Sequence, residues 1–319
     1  MKYSYFPGCS LERNALAYHQ STLAVAKALD MEFVEVEDWN CCGATEYVSL
    51  NLTAAFALIA RNLAQAALKS DITQLVAPCS ACYLNLRKCD HYMGTDPALA
   101  QKVNAALGAG GLGYQAGTLK IRHLLDVMVN DVGYRTIASK VTQPLKGIKV
   151  VPYYGCMIVR PEMGEGFDGL EQPLTLDKLL VALGAEVVPF SLKAACCGGH
   201  MTQISEATGF EMIRRIVKSA TDGGADVIAT LCPMCQLNLD AFQGPMNNYF
   251  KTNYAMPVLY FTQLAGIAFG LDAKSLGIGQ ELVSAGRALA KIGLEAPEPE
   301  APKKSKRDDK SLPMPRVGA

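Results

Sequence analysis

Lys2-Tyr-Ser-Tyr-Phe-Pro-Gly-Cys9 has an echo in Lys149-Val-Val-Pro-Tyr-Tyr-Gly-Cys156, and that repetition decides how the chain is read. Two further blocks recur in the same order. Asn40-Cys41-Cys42-Gly43 returns as Ala195-Cys196-Cys197-Gly198-Gly199. Ala77-Pro78-Cys79-Ser80-Ala81-Cys82-Tyr83-Leu84-Asn85-Leu86 returns as Thr230-Leu231-Cys232-Pro233-Met234-Cys235-Gln236-Leu237-Asn238-Leu239. The cysteines repeat at offsets of 147, 155 and 153 residues, so the chain is an internal duplication.

Around these blocks each half alternates short apolar strands with helical patterns. In the first half we expect strands at Lys2–Phe6, Met31–Val36 and Gln74–Ala77, and helices over Leu11–Leu29, Val48–Leu68 and Ser80–His91. In the second we expect strands at 149–154, 186–190 and 226–231, with helices over 174–183, 204–219 and 233–242. Such alternation predicts an α/β fold of two pseudo-symmetric domains, each a mostly parallel sheet flanked by helices. The expected domains are 1–145 and 146–294, with the boundary near Gln143–Gly147. Residues 295–319, with 5 of the 16 prolines and no aromatic residue, are expected to be a disordered Pro/charge-rich tail. Every cysteine block follows a strand, at the carboxyl edge where open parallel sheets place their ligands.

Composition narrows the function. The 30 basic and 30 acidic residues balance, which gives no reason to expect a nucleic-acid partner. The opening MKYSYFPGCS has no leader pattern, and the most apolar run, Val258–Leu271, is too short to span a bilayer. We therefore expect a cytoplasmic protein that is not membrane-spanning. There the odd count of 11 cysteines with CxxC spacing favours metal ligation over disulfides. The Gly-rich run Leu107–Thr118 lacks the preceding strand and the Lys-Ser/Thr of a phosphate loop and reads as a plain loop.

The two candidate ligand sets are Cys9, Cys41, Cys42, Cys79, Cys82 and Cys156, Cys196, Cys197, Cys232, Cys235. Thiolate sulfur is the soft donor that iron–sulfur clusters need, and a CxxC at a helix start gathers two sulfurs near unpaired N–H groups. Five thiolates per set is one more than a tetrahedral zinc or a cubane uses. Buried structural thiols, or zinc in one set, are the alternatives.

In the spacing of these sets, the YFPGCS opening, Asn40-Cys41-Cys42-Gly43-Ala44 and Arg122-His123-Leu124-Leu125, the chain resembles the B-subunit family of heterodisulfide reductases, nearest its bacterial and sulfur-metabolism branch. The match covers about residues 1–270. The resemblance implies two CCG domains, two non-cubane [4Fe–4S] clusters held by the ten cysteines, and a disulfide or thiol substrate processed between them. It also implies two partners, a ferredoxin-like iron–sulfur subunit and a flavoprotein subunit, like the C and A components of heterodisulfide reductases. Some relatives instead relay electrons for succinate, lactate or glycolate oxidation, which is the alternative function. The chain carries no clustered ferredoxin motif of its own and no dinucleotide fingerprint.

Outside the cysteines, His200 and His123 are the candidate catalytic residues. His200 follows Cys196-Cys197-Gly198-Gly199, where it is placed to protonate a leaving thiolate or to bond a cluster sulfide. His123 is expected at the domain interface. Tyr153, Tyr154 and Arg160 bracket Cys156, the tyrosines reading equally as core. Asn40 and Glu46 lie beside Cys41-Cys42, and Cys89 reads as a buried structural thiol.

Overall fold

A computed structural model describes residues 1–44, 47–161 and 168–294. The first half runs β1 (Lys2–Tyr5), α1 (Leu16–Ala28), β2 (Glu32–Glu35), α2 (Tyr47–Leu50), α3 (Leu52–Ala67), β3 (Gln74–Ala77), α4 (Ser80–Thr95), α5 (Pro97–Gly108), β4 (Lys120–His123), α6 (Leu124–Val127) and α7 (Tyr134–Ser139). The second runs β5 (Lys149–Tyr153), α8 (Thr175–Ala182), β6 (Glu186–Val187), α9 (Met201–Ile204), α10 (Glu206–Asp222), β7 (Val227–Thr230), α11 (Pro233–Ala241), α12 (Gln243–Phe250), β8 (Val258–Tyr260), α13 (Phe261–Ala268) and α14 (Gly286–Ala290).

The strands form two four-stranded, all-parallel sheets ordered β2-β1-β3-β4 and β6-β5-β7-β8. The duplication expected from the cysteine blocks is therefore present in the topology. β7 is buried along its whole length and β5 nearly so, as parallel strands covered on both faces must be. In each sheet the chain leaves the first strand toward one edge and returns to build the other. The reversal falls between β1 and β3, and between β5 and β7. That is the switch point at which open α/β sheets carry ligands, and Cys9, Cys79, Cys156 and Cys232 all lie just beyond those four strand ends.

Several boundaries differ from the expectation, each for a local reason. The helix expected from Leu11 begins only at Leu16, because residues 9–15 turn, with Ala15 N–H donating to Ser10 O. The helix expected over Val48–Leu68 splits in two at Asn51, whose extended backbone and side chain cap Ala54 N–H at 3.0 Å. The one expected over 204–219 likewise parts at Ser205, between α9 and α10. The strand expected over 186–190 pairs only through Val187. Each sheet also gains a fourth strand, β4 or β8, beyond the three that the sequence pattern predicts.

The halves interlock along a buried seam. α1 of the first half packs along α13 of the second, where Ser21 and Thr262 hydroxyls bond at 2.7 Å. Tyr18 stacks on Tyr260 with ring centroids 4.2 Å apart and planes 4° from parallel. Such a pair adds about 1 kcal/mol beyond its buried area. Further along, α7 packs on α8, with Tyr134 Oη donating to Thr175 O at 3.1 Å. Among the described residues no helix is long and apolar enough to cross a membrane. The 295–319 segment lies outside the described residues.

Candidate metal centre

Each CxxC starts a helix. Cys79 is the N-cap of α4 and Cys232 the N-cap of α11, with extended backbone, so Cys82 and Cys235 fall at the third helical position of the same first turn. The N–H groups there have no intrahelical acceptor, and those of Cys82 and Cys235 turn to Cys79 and Cys232 sulfur. Gly8 and Gly155 bring the loops after β1 and β5 onto these turns. Both have positive φ (73° and 68°), and a Cβ on either would lie 2.7 Å from Cys82 Sγ or 2.8 Å from Cys235 Sγ. Only glycine allows that approach.

The ten sulfurs form a chain of contacts. Cys9 Sγ lies 3.8 Å from Cys41 Sγ; Cys41 contacts Cys42, Cys42 contacts Cys82, and Cys82 contacts Cys79. Cys156, Cys196, Cys197, Cys235 and Cys232 repeat that order. The two runs meet where Cys79 contacts Cys232. The outer members are open, with Cys9, Cys41 and Cys196 exposed and Cys156 partly so, while Cys42, Cys79, Cys82, Cys197, Cys232 and Cys235 are buried.

Charge is distributed alike in both sets. Thiol bonds from Cys42 and Cys9 hold Cys41 down at about 2, against the effect of burial and with help from Gly43 and Ala44 N–H. Bonds from Cys156 and Cys197, aided by Gly198 N–H at 3.3 Å, do the same for Cys196. Sharing a proton with these thiolates pushes Cys42 and Cys197 up to about 12, burial adding to the effect.

These donors fit iron–sulfur clusters. All are soft sulfur, five per set, at helix starts and beside positive-φ glycines that expose N–H groups. A cavity of about 40 Å³ opens against the second set, lined by Cys156, Cys196, Cys197, Cys232 and Cys235 with Tyr154, Met157, Met234 and, from the first half, Ser80. A larger hollow of about 640 Å³ between α3 and α5 touches no cysteine.

The remaining sequence candidates fall around this core. His200 is half-buried next to Gly199, just ahead of α9. His123 is fully buried at the seam, where its Nδ1 accepts from Leu125 N–H at 3.1 Å and its ring bonds the carbonyls of Pro78 and Leu231. Burial pushes its pKa down to about 3, outweighing the pull of Asp126. Tyr153 is core, its hydroxyl donating to Ala195 O at 2.7 Å behind Cys196. Tyr154 lines the cavity with its hydroxyl on Asp177. Arg160 pairs with Glu171 at 3.3 Å on the surface. Asn40 ties the Cys41-Cys42 loop to α3 by donating to Leu58 O at 3.0 Å and accepting from Arg61 at 3.1 Å. Cys89 is buried with its thiol on Phe56 O at 3.6 Å. Glu46 lies outside the described residues.

Sequence reasoning overlooked Asn85 and Asn238, although both stand in the repeated block three residues after the CxxC. Asn85 donates to Cys42 O at 3.1 Å, and Asn238 to Gly199 O at 2.8 Å and Cys197 Sγ at 3.4 Å. Each thereby pins the Cys-Cys-Gly loop to the CxxC helix of its own half.

The family model of the cysteine-rich CCG domain matches residues 3–87 and again 150–240. The 8-methylmenaquinol:fumarate reductase membrane anchor subunit of Wolinella succinogenes is 34% identical, covering 89% of this chain and 98% of its own. The B subunit of the ferredoxin/F420H2-dependent CoB–CoM heterodisulfide reductase of Methanosarcina acetivorans is 29% identical over 91% of this chain and 97% of its own. A hypothetical protein from Helicobacter pylori, known by crystal structure, shares the fold with a TM-score of 0.72 at 14% identity. That alignment covers 89% of this chain, which spans about half (52%) of the Helicobacter protein.

Proposed function

The chain belongs to the family of cysteine-rich CCG-domain proteins, and from that premise we propose that it is the iron–sulfur subunit of a heterodisulfide reductase-like complex, breaking or forming a sulfur–sulfur bond between its two cysteine sets. Cys9, Cys41, Cys42, Cys79 and Cys82 hold one [4Fe–4S] cluster of the non-cubane kind, and Cys156, Cys196, Cys197, Cys232 and Cys235 the other. Such clusters, when bound, supply iron sites for sulfur and two single-electron carriers. Reduction of a disulfide to two thiols takes two electrons and two protons. The electrons come from a ferredoxin-like iron–sulfur subunit linked to a flavoprotein, since this chain has neither a ferredoxin motif nor a dinucleotide fingerprint.

The protein's own groups have separable parts. Gly43 and Gly198, with positive φ, aim N–H groups at the first cysteine of each Cys-Cys pair, and Asn85 and Asn238 orient the loops. Tyr154, Met157 and Met234 give the cavity beside the second set an apolar wall. We assign to His200, three residues after Cys197, the transfer of a proton to a departing thiolate.

The observation that supports this reading best is the contact between Cys79 and Cys232, which joins the two sets into one continuous site. Substituting Cys9 or Cys156 by serine should each abolish disulfide turnover, and the double variant should be little worse, as for groups that act as a unit. Electron paramagnetic resonance of the oxidised protein should change when a thiol or disulfide is added. A second reading is favoured by the Wolinella relative, named as the anchor of a quinol:fumarate reductase. In that reading the chain only relays electrons between a dehydrogenase and a quinone-linked partner. Signals unmoved by any thiol or disulfide, with onward transfer to such a partner intact, would establish the relay and reject sulfur chemistry.

A further inference from the structure

Pro78 and Leu231 are the residues immediately before Cys79 and Cys232. Each lies one position beyond the last paired residue of its strand, Ala77 opposite His123 and Thr230 opposite Tyr260. Past that point the ladder offers their carbonyls no further partner strand residue. Both carbonyls turn instead toward one phenol. Tyr18 Oη donates to Pro78 O at 2.8 Å and to Leu231 O at 3.2 Å. Tyr18 is fully buried. A single hydrogen shared between two acceptors confines them, since the two oxygens cannot be further apart than the two bonds laid end to end.

The imidazole of His123 addresses the same pair. Leu125 N–H occupies its Nδ1, so the ring hydrogen is on Nε2, and the ring bonds the Pro78 and Leu231 carbonyls. Ser80 Oγ adds a longer bond to Leu231 O at 3.4 Å. Two carbonyl oxygens, one from each half, therefore converge, and their mutual repulsion is offset by donors carried on α1 and at the end of β4. Each carbonyl is one peptide from an inner cysteine, and those two cysteines are where the sets touch. The duplication supplies no such bracket by symmetry, because the position equivalent to His123 is Tyr260, which stacks on Tyr18 and sends its hydroxyl to Gln236 at 3.4 Å.

We infer that Tyr18 and His123 are positioning residues that together fix the separation of the two cysteine sets. The inference rests on the reading that both sets hold clusters acting as a pair. It goes beyond that reading by naming what holds them in register.

The test uses the full chain assembled anaerobically, reduced until both centres are paramagnetic, with their magnetic interaction read by electron paramagnetic resonance. Tyr18→Phe keeps the stack on Tyr260 and removes only the shared hydrogen. It should retain wild-type iron and sulfide, show a weaker or more heterogeneous interaction between the centres, and lose about tenfold or more in turnover, as misplacements near 1 Å do. Ser21→Ala removes the neighbouring bond across the same seam to Thr262 and should leave the interaction as it is. Should Tyr18→Phe fail to assemble, His123→Phe, which keeps a ring in the seam and withdraws the other donor, decides by the same measurement. Full iron with an unaltered interaction in the deciding variant overturns the inference, as does an equal change in Ser21→Ala. A wild-type chain with zinc, or with a single paramagnetic centre, overturns the paired-cluster reading itself and is visible before any variant is made.

Discussion

Replacing Gly8 by alanine should strip iron from the first cysteine set and spare the second. The cost has two parts. Gly8 sits at φ 73°, where an L-residue is disfavoured by about 1–2 kcal/mol. The new Cβ would also meet Cys82 Sγ at 2.7 Å. Non-bonded heavy atoms settle at about 3.5–4.0 Å, so the sulfur must retreat by roughly 1 Å. Cys82 is buried at the first turn of α4 and cannot swing away freely. Metal–ligand distances tolerate about 0.2 Å, several times less than that displacement. Anaerobic iron and sulfide analysis should therefore fall from about 8 iron per chain to about 4, the content of one four-iron cluster. Gly155→Ala, with its Cβ 2.8 Å from Cys235 Sγ, should mirror the loss in the other half. Gly111→Ala shares the backbone cost at φ 71° but meets nothing within 4 Å, and should keep all its iron. Full iron in Gly8→Ala, or an equal loss in Gly111→Ala, would show that the close approach to sulfur is not what the glycine serves.

Cys89→Ser should leave iron unchanged, because that thiol bonds Phe56 O rather than a cysteine of either set, whereas Cys42→Ser or Cys197→Ser should lose iron from its own half. Arg122 holds Asp126 through two bonds of 2.7 Å and Asp131 through bonds of 2.7 and 2.6 Å, so Arg122→Met should cost about 3–5 kcal/mol in a urea titration at neutral pH. Burial alone would raise the Asp126 carboxyl, but Arg122 and Asn130 hold it below the usual range. A carboxyl lowered on folding contributes fully above its unfolded value near ~4 and loses that contribution as pH falls through the folded one. Wild-type urea midpoints should accordingly drop below about pH 4, and Asp126→Asn should be weaker at neutral pH but flatter in acid; parallel curves would contradict this. A chain ending at Leu294 should assemble with the same iron, since the composition of 295–319 gives it little to bury.

The three repeated cysteine blocks carried the duplication, the parallel sheets and the carboxyl-edge position of the ligands, because each block follows a strand and each spacing recurs. What they could not carry is instructive. β4 and β8 are three or four residues long, largely buried, and run straight into helices, so no alternation marks them. The apolar run from Val258, measured only against a bilayer, is a buried strand followed by a buried helix. Asn51 reads as one polar residue in a helical pattern until its backbone turns extended. Tyr18 is an aromatic on an inward helix face and looks like ordinary core; its role depends on two carbonyls 60 and 213 residues away. Asn85 and Asn238, by contrast, lay in plain view within a repeated block.

The seam also bears on the order of events during synthesis. Tyr18 and Ser21 emerge early from the ribosome, yet their partners Leu231, Tyr260 and Thr262 follow more than 200 residues later. At about 5–20 residues per second, the first half is kept waiting for on the order of 10–50 seconds with one face of α1 uncovered. Through that interval the nascent chain presents six thiols, five of them from the first cysteine set, and an apolar helix face to the cell. Delivery of iron and sulfur to the first half is therefore expected to be tied to completion of the second, and a factor that shields α1 until release would serve both the fold and the metal.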